Sequence, residues 1–72
     1  MLEGIIWGYK NEKDEVEKVA KELKQNLKGK IQLEDGKFVG CCYVIGFDAD
    51  DGAEGVLKRY NGRVKFHKKT NF

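Results

Sequence analysis

Ten consecutive residues, Phe38-Val-Gly-Cys-Cys-Tyr-Val-Ile-Gly-Phe47, carry no charge. That run is far short of the roughly 20 apolar residues needed to cross a bilayer. Its β-branched and aromatic content suits a strand, and its near-continuous apolarity suits a central one, covered by neighbours. The rest of the chain must therefore build a sheet around it and at least one layer over it.

With 72 residues the chain is one small domain spanning 1–72, burying only about 60% of its unfolded surface. A deep active-site cleft is not expected at this size. A composition of 40% hydrophobic and 36% charged residues is that of a globular domain. The opening Met-Leu-Glu-Gly-Ile-Ile-Trp-Gly lacks the basic and long apolar regions of a signal peptide. We expect a cytoplasmic, non-membrane protein.

Residues 3–10 form an apolar, aromatic segment and predict a first strand. Asn11 sits where a helix N-cap belongs, with Glu12, Asp14 and Glu15 in the first turn. Val16, Val19, Ala20, Leu23 and Leu27 then recur at helical spacing, and Gly29 supplies a left-handed stop. A helix over 12–28 follows. Lys30–Glu34 reads as a short strand, Asp35-Gly36 as a hairpin turn, and Lys37–Phe47 as one long strand. For 50–61 the spacing of Ala53, Val56, Leu57 and Tyr60 favours a helix ended by Gly62. The alternative is a hairpin turning at Asn61-Gly62. Arg63–Lys68 alternates as a last strand, and Thr70–Phe72 reads as a tail. The order is βαββαβ, and the fold class expected is α+β, a ferredoxin-like sandwich with two helices on one face of a four-stranded antiparallel sheet.

Candidate chemistry is sparse. Cys41 and Cys42 are adjacent, so on a strand they point to opposite faces and read as two reduced thiols acting as small hydrophobes. There is no CxxC, and His67 is the single histidine, so no metal site is expected. The acidic run Asp48–Glu54 fails the spacing of a calcium loop at three positions and instead suits a helix N-terminus. Serine is absent, and no glycine-rich phosphate motif occurs. The expectation is no catalytic residue, no cofactor and no enzymatic activity.

Charge distribution is more informative. Residues 1–36 carry seven lysines against eight acids, and residues 37–72 carry seven basic residues against four acids. Within 58–69 six basic residues are interleaved with Tyr60, Phe66 and His67, without an acid. Lysines and arginines suit phosphates, and rings suit bases. With Ile6, Cys42, Val44, Val64 and Phe66 turned toward the helices, the opposite face would display Ile5, Trp7, Tyr9, Cys41, Tyr43 and Ile45 beside Arg63, Lys65 and His67.

In element order, and in the stretch from Phe47 to Gly62 with its Asp-Ala-Asp-Asp…Leu-Lys-Arg-Tyr-Asn-Gly, the chain resembles RRM modules. Lys37–Val44 does not reproduce that family's third-strand signature. The resemblance implies base stacking on an open sheet. The expected binding residues are Trp7, Tyr9, Tyr43, Arg63, Lys65, His67, Lys68 and Lys69, with single-stranded nucleic acid as partner. The alternative is that the same apolar face is a protein-interaction or regulatory surface, such as a homodimer seam.

Overall fold

The computed structural model describes residues 1–69; the expected tail at Thr70–Phe72 lies outside them. Five strands and two helices follow one another as β1 (Leu2–Tyr9), α1 (Lys13–Asn26), β2 (Ile31–Leu33), β3 (Lys37–Val39), β4 (Cys42–Ala49), α2 (Glu54–Leu57) and β5 (Val64–Lys68). Single 3-10 turns flank the helices at Lys10–Glu12, Asp51–Ala53 and Lys58–Tyr60. The strands make one open antiparallel sheet in the order β2-β4-β1-β5, with β3 also paired to β4.

Five strands stand where four were expected, because the hairpin turns elsewhere. Val39 pairs with Cys42, so Gly40-Cys41 is the two-residue loop. Gly40 adopts φ +60°, the left-handed conformation that such a loop requires at its first position. Asp35-Gly36 is a break along an edge instead. Leu33 faces Phe47 and Lys37 faces Val44, so three residues on one side stand against two on β4. The extra residue makes a β-bulge. Gly36 is required there: a Cβ on it would lie 2.0 Å from the Tyr43 hydroxyl.

Tyr43, Ile45, Phe47 and Ala49 are buried, whereas the alternating Cys42, Val44, Gly46 and Asp48 are not. The expected facing of this strand is therefore inverted. Tyr43 and Ile45 point into the core, and Cys42 and Val44 point to the open side. Strand β1 keeps its expected facing, with Ile6 buried and Ile5 and Tyr9 exposed.

Helix α1 buries Val16, Val19, Ala20 and Leu23, as its periodicity requires. It ends with the Leu27 amide donating to the Leu23 carbonyl at 2.9 Å and with Gly29 at φ +73°. Asn11 does not cap it. The chain enters through the Lys10–Glu12 turn, where the Glu12 carboxylate accepts from the Tyr9 amide at 3.0 Å. Residues 51–60 are helical, in mixed 3-10 and α geometry, so the hairpin alternative for that stretch is excluded. Ala53 and Leu57 join the α1 residues and the inner faces of the strands in one core. Both helical segments thus cover the same face. The Tyr60 hydroxyl donates to Glu22 at 2.9 Å and ties the second segment to α1; burial, then this carboxylate, raises the phenol above its ordinary pKa.

Candidate functional site

Among the described residues, no element covers the sheet face away from the helices. Antiparallel register arranges its outward residues in four rungs. Gln32, Asp48, Glu3 and His67 share the first. Glu34, Gly46, Ile5 and Lys65 share the second, since the Glu34 amide donates to the Gly46 carbonyl at 2.8 Å. Lys37, Val44 and Trp7 make the third, and Val39, Cys42 and Tyr9 the fourth. One end is acidic and the other apolar and aromatic, with Tyr9 56% and Val39 52% exposed.

Glycine at 46 leaves a shallow depression of about 460 Å³ on this face, bordered by Glu3, Ile5, Gln32, Glu34 and Asp48. The Glu34 carboxylate lies over Gly46, where a Cβ would meet it at 2.1 Å. At the aromatic end, Tyr9 meets the edge of Trp7 at 5.5 Å between centroids and 83° between planes. Lys65 Nζ stands 5.3 Å from the Trp7 ring centroid, a cation–π contact. The indole Nε1–H is covered and has no acceptor among the described residues.

The eight expected binding residues separate into three groups. Trp7, Tyr9 and Lys65 lie together on the open face, as their alternation required. His67 is on the same face, but its imidazole Nε2 is 3.6 Å from Glu3. Lys69 also reaches Glu3, at 3.4 Å, and Lys68 reaches Asp51 at 3.7 Å. Tyr43 and Arg63 are not there. Tyr43 is 6% exposed, with Phe38 against its ring at 4.9 Å and Lys13 5.5 Å from the ring centroid. The Arg63 guanidinium turns to the helix side, where it donates to both Glu12 oxygens at 2.9 and 2.5 Å. It lies 3.0 Å from where a Cβ on Gly8 would be, so glycine at 8 makes room for it.

This fork-shaped pair joins the start of α1 to the entry of β5. The hydrogen bonds from Arg63, then that from the Tyr9 amide, lower the Glu12 pKa to about 2, and Glu12 in turn raises that of Arg63. A carboxylate held low in the fold contributes stability above its unfolded pKa of about 4.3, and that contribution disappears as pH falls toward the folded value. The urea midpoint of the native chain should therefore drop between pH 4.5 and 2 by more than that of Glu12→Gln. Equal slopes for the two proteins would show that the pair adds nothing.

Sequence reasoning missed Val39, Val44, Lys37 and Glu34 as members of the face. Asp48 was the available signal: a charged residue ending an apolar strand must face water, and counting back by twos from it puts Gly46, Val44 and Cys42 on its side. No three His, Cys, Asp or Glu side chains gather into a metal-holding group among the described residues, and none of their helices is long and apolar enough to cross a membrane. Comparison with known protein families, curated proteins and solved structures finds no match for this chain.

Proposed function

We propose that the chain is a non-enzymatic protein-interaction module that self-associates through the open face of its sheet. The observation that carries this is the order of the four rungs. A two-fold axis lying across the strands, between the second and third rungs, exchanges second with third and first with fourth. Glu34 of each copy then faces Lys37 of the other, and Ile5 faces Trp7. The acidic Glu3 end meets the Tyr9 hydroxyl. A two-fold interface must be complementary to itself, and the Glu34–Lys37 exchange makes this face so in charge. Apolar faces left uncovered commonly mark such contacts.

The nucleic-acid reading has less support. Arg63, His67, Lys68 and Lys69 each have a carboxylate partner within the chain, Lys65 occupies the Trp7 ring that a base would need, and three acids lie on the face itself. For the architecture we infer the ferredoxin-like βαββαβ arrangement, with β2 and β3 as one edge strand broken by the bulge. The support is that both run antiparallel to β4 along the same edge.

Sedimentation from micromolar to millimolar concentration tests the assembly. The chain should dimerise, and Lys37→Glu should weaken the dimer by about tenfold or more by placing like charges together. Adding Glu34→Lys to Lys37→Glu should restore it. A monomer at millimolar concentration, or a double variant no better than the single one, overturns the reading. A salt-sensitive shift of the Trp7 and Lys65 signals with single-stranded RNA, without dimerisation, would return the face to nucleic acid.

A further inference from the structure

The two edges of the sheet differ. The β2/β3 edge is interrupted by the bulge and by two three-residue strands, the usual way of blunting an edge. The β5 edge is continuous over five residues. Its inner side pairs with β1: the Trp7 amide donates to the Arg63 carbonyl at 2.8 Å and the Lys69 amide to the Met1 carbonyl at 2.8 Å. Alternation then assigns Lys65 and His67 to β1 as well, and turns the N–H and C=O of Phe66 and Lys68 outward. Val64 is bridged to Asn61, so the free row is Phe66 and Lys68, without a backbone partner among the described residues.

Beneath this edge runs a groove of about 350 Å³ between β5 and the helical 51–60 segment, lined by Leu57, Lys58, Asn61, Val64 and Phe66. Its floor is apolar, and Lys58 on its rim is paired with Glu54 at 2.9 Å. On the opposite side of the strand, Lys65 and His67 are exposed. An added strand would present alternate side chains to the groove and to the side that carries Lys65.

From this geometry we propose a second binding surface, at the edge of the sheet beside the open face: the β5 edge receives an extended peptide in which apolar and acidic residues alternate. The peptide's backbone pairs with Phe66 and Lys68, its apolar residues enter the groove beside Val64 and Phe66, and its carboxylates stand near Lys65. A second copy is a poor occupant, because edge-to-edge pairing would set Lys65, His67 and Lys68 against their own kind, and like charges directly opposite destabilise.

The probe is the capped hexapeptide Leu-Glu-Val-Glu-Leu-Glu, titrated into the labelled full chain and followed by amide NMR. Shifts should concentrate on 64–68 and on the groove residues Leu57, Lys58 and Asn61, and exchange of the Phe66 and Lys68 amides should slow about tenfold or more. Lys68→Pro removes an outward N–H without touching the β1 ladder. It should weaken binding about tenfold or more relative to Lys68→Ala, which removes only the charge. If Lys68→Pro does not fold, the same peptide N-methylated at alternate residues, bound to the native chain, supplies the comparison and should lose affinity to the same extent. Equal binding by the N-methylated peptide, by Lys68→Pro, or by a Leu-Lys-Val-Lys-Leu-Lys peptide overturns the proposal, as does the absence of shifts at millimolar peptide.

Discussion

Replacing Leu23 by alanine should remove about 2–5 kcal/mol of folding stability, because the side chain is 0% exposed and its loss leaves a cavity as well as forfeiting burial. A domain of this length has only about 4–11 kcal/mol in total, at roughly 0.05–0.15 kcal/mol per residue. The melting temperature should accordingly fall by roughly 10–30 °C. Leu23 lies on the face of α1 that meets the sheet, in the same core as Ile6, Phe47 and Leu57. The two helical segments and the sheet close around one cluster, and the described residues hold no second core to compensate. Lys18→Ala, on the exposed side of the same helix, should change stability by no more than about 0.5 kcal/mol. Urea denaturation of the two variants makes the comparison, and a loss below about 1 kcal/mol at Leu23 would mean that the cluster can collapse around the gap.

The first helix was legible in the sequence because its apolar spacing and its glycine stop agreed, whereas 50–61 also admitted a hairpin. Val16, Val19, Ala20 and Leu23 mark one face, and Gly29 and Gly62 end the two segments with φ of +73° and +102°. The facing of β1 was legible for a similar reason: Glu3 and Tyr9 flank the buried Ile6 at outward positions. The facing of β4 was misjudged because Cys42 and Val44 are as apolar as Tyr43 and Ile45; the contrast that fixes it lies just beyond the uncharged run, at Asp48. The core chose the side that buries Phe47 and Ala49 with Tyr43. The hairpin was misplaced because Asp35-Gly36 and Gly40-Cys41 both offer a glycine. The choice depends on Tyr43, whose ring passes where a side chain at 36 would stand. Least legible were the ion pairs. Arg63 and Glu12 lie far apart in sequence, and their meeting depends on β1, α1 and β5 being assembled. The same is true of Glu3, which gathers His67 and Lys69 only when β5 lies beside β1. A basic stretch that looks free in the sequence is thus largely neutralised in the fold, and the candidate surface shifts from charge to apolar contact.

Gly4→Ala should be the most damaging single methyl that can be added to the sheet. A Cβ at that position would lie 2.1 Å from the Lys65 carbonyl oxygen and 2.7 Å from the Phe66 Cβ. At Gly46 the obstacle is the end of the flexible Glu34 side chain, which can swing away. At Gly4 it is backbone, so only separation of β1 from β5 relieves it. Gly4 stands opposite Phe66 on one side and Phe47 on the other, where β1 and β5 approach more closely than any residue with a side chain allows. Overpacking of this kind costs about 1–3 kcal/mol and more where backbone must shift. The loss should be local as well as global. Hydrogen exchange of the Lys65 and His67 amides, which the β1 ladder protects, should accelerate beyond the change seen at the Ile6 and Ile45 amides between β1 and β4. Gly46→Ala should leave those β5 amides unaltered. If Gly4→Ala instead raises exchange uniformly across the sheet, β5 unfolds only with the whole domain and is not a separable edge. If it leaves exchange unchanged, the close approach of β1 and β5 at this point is not a feature of the folded protein.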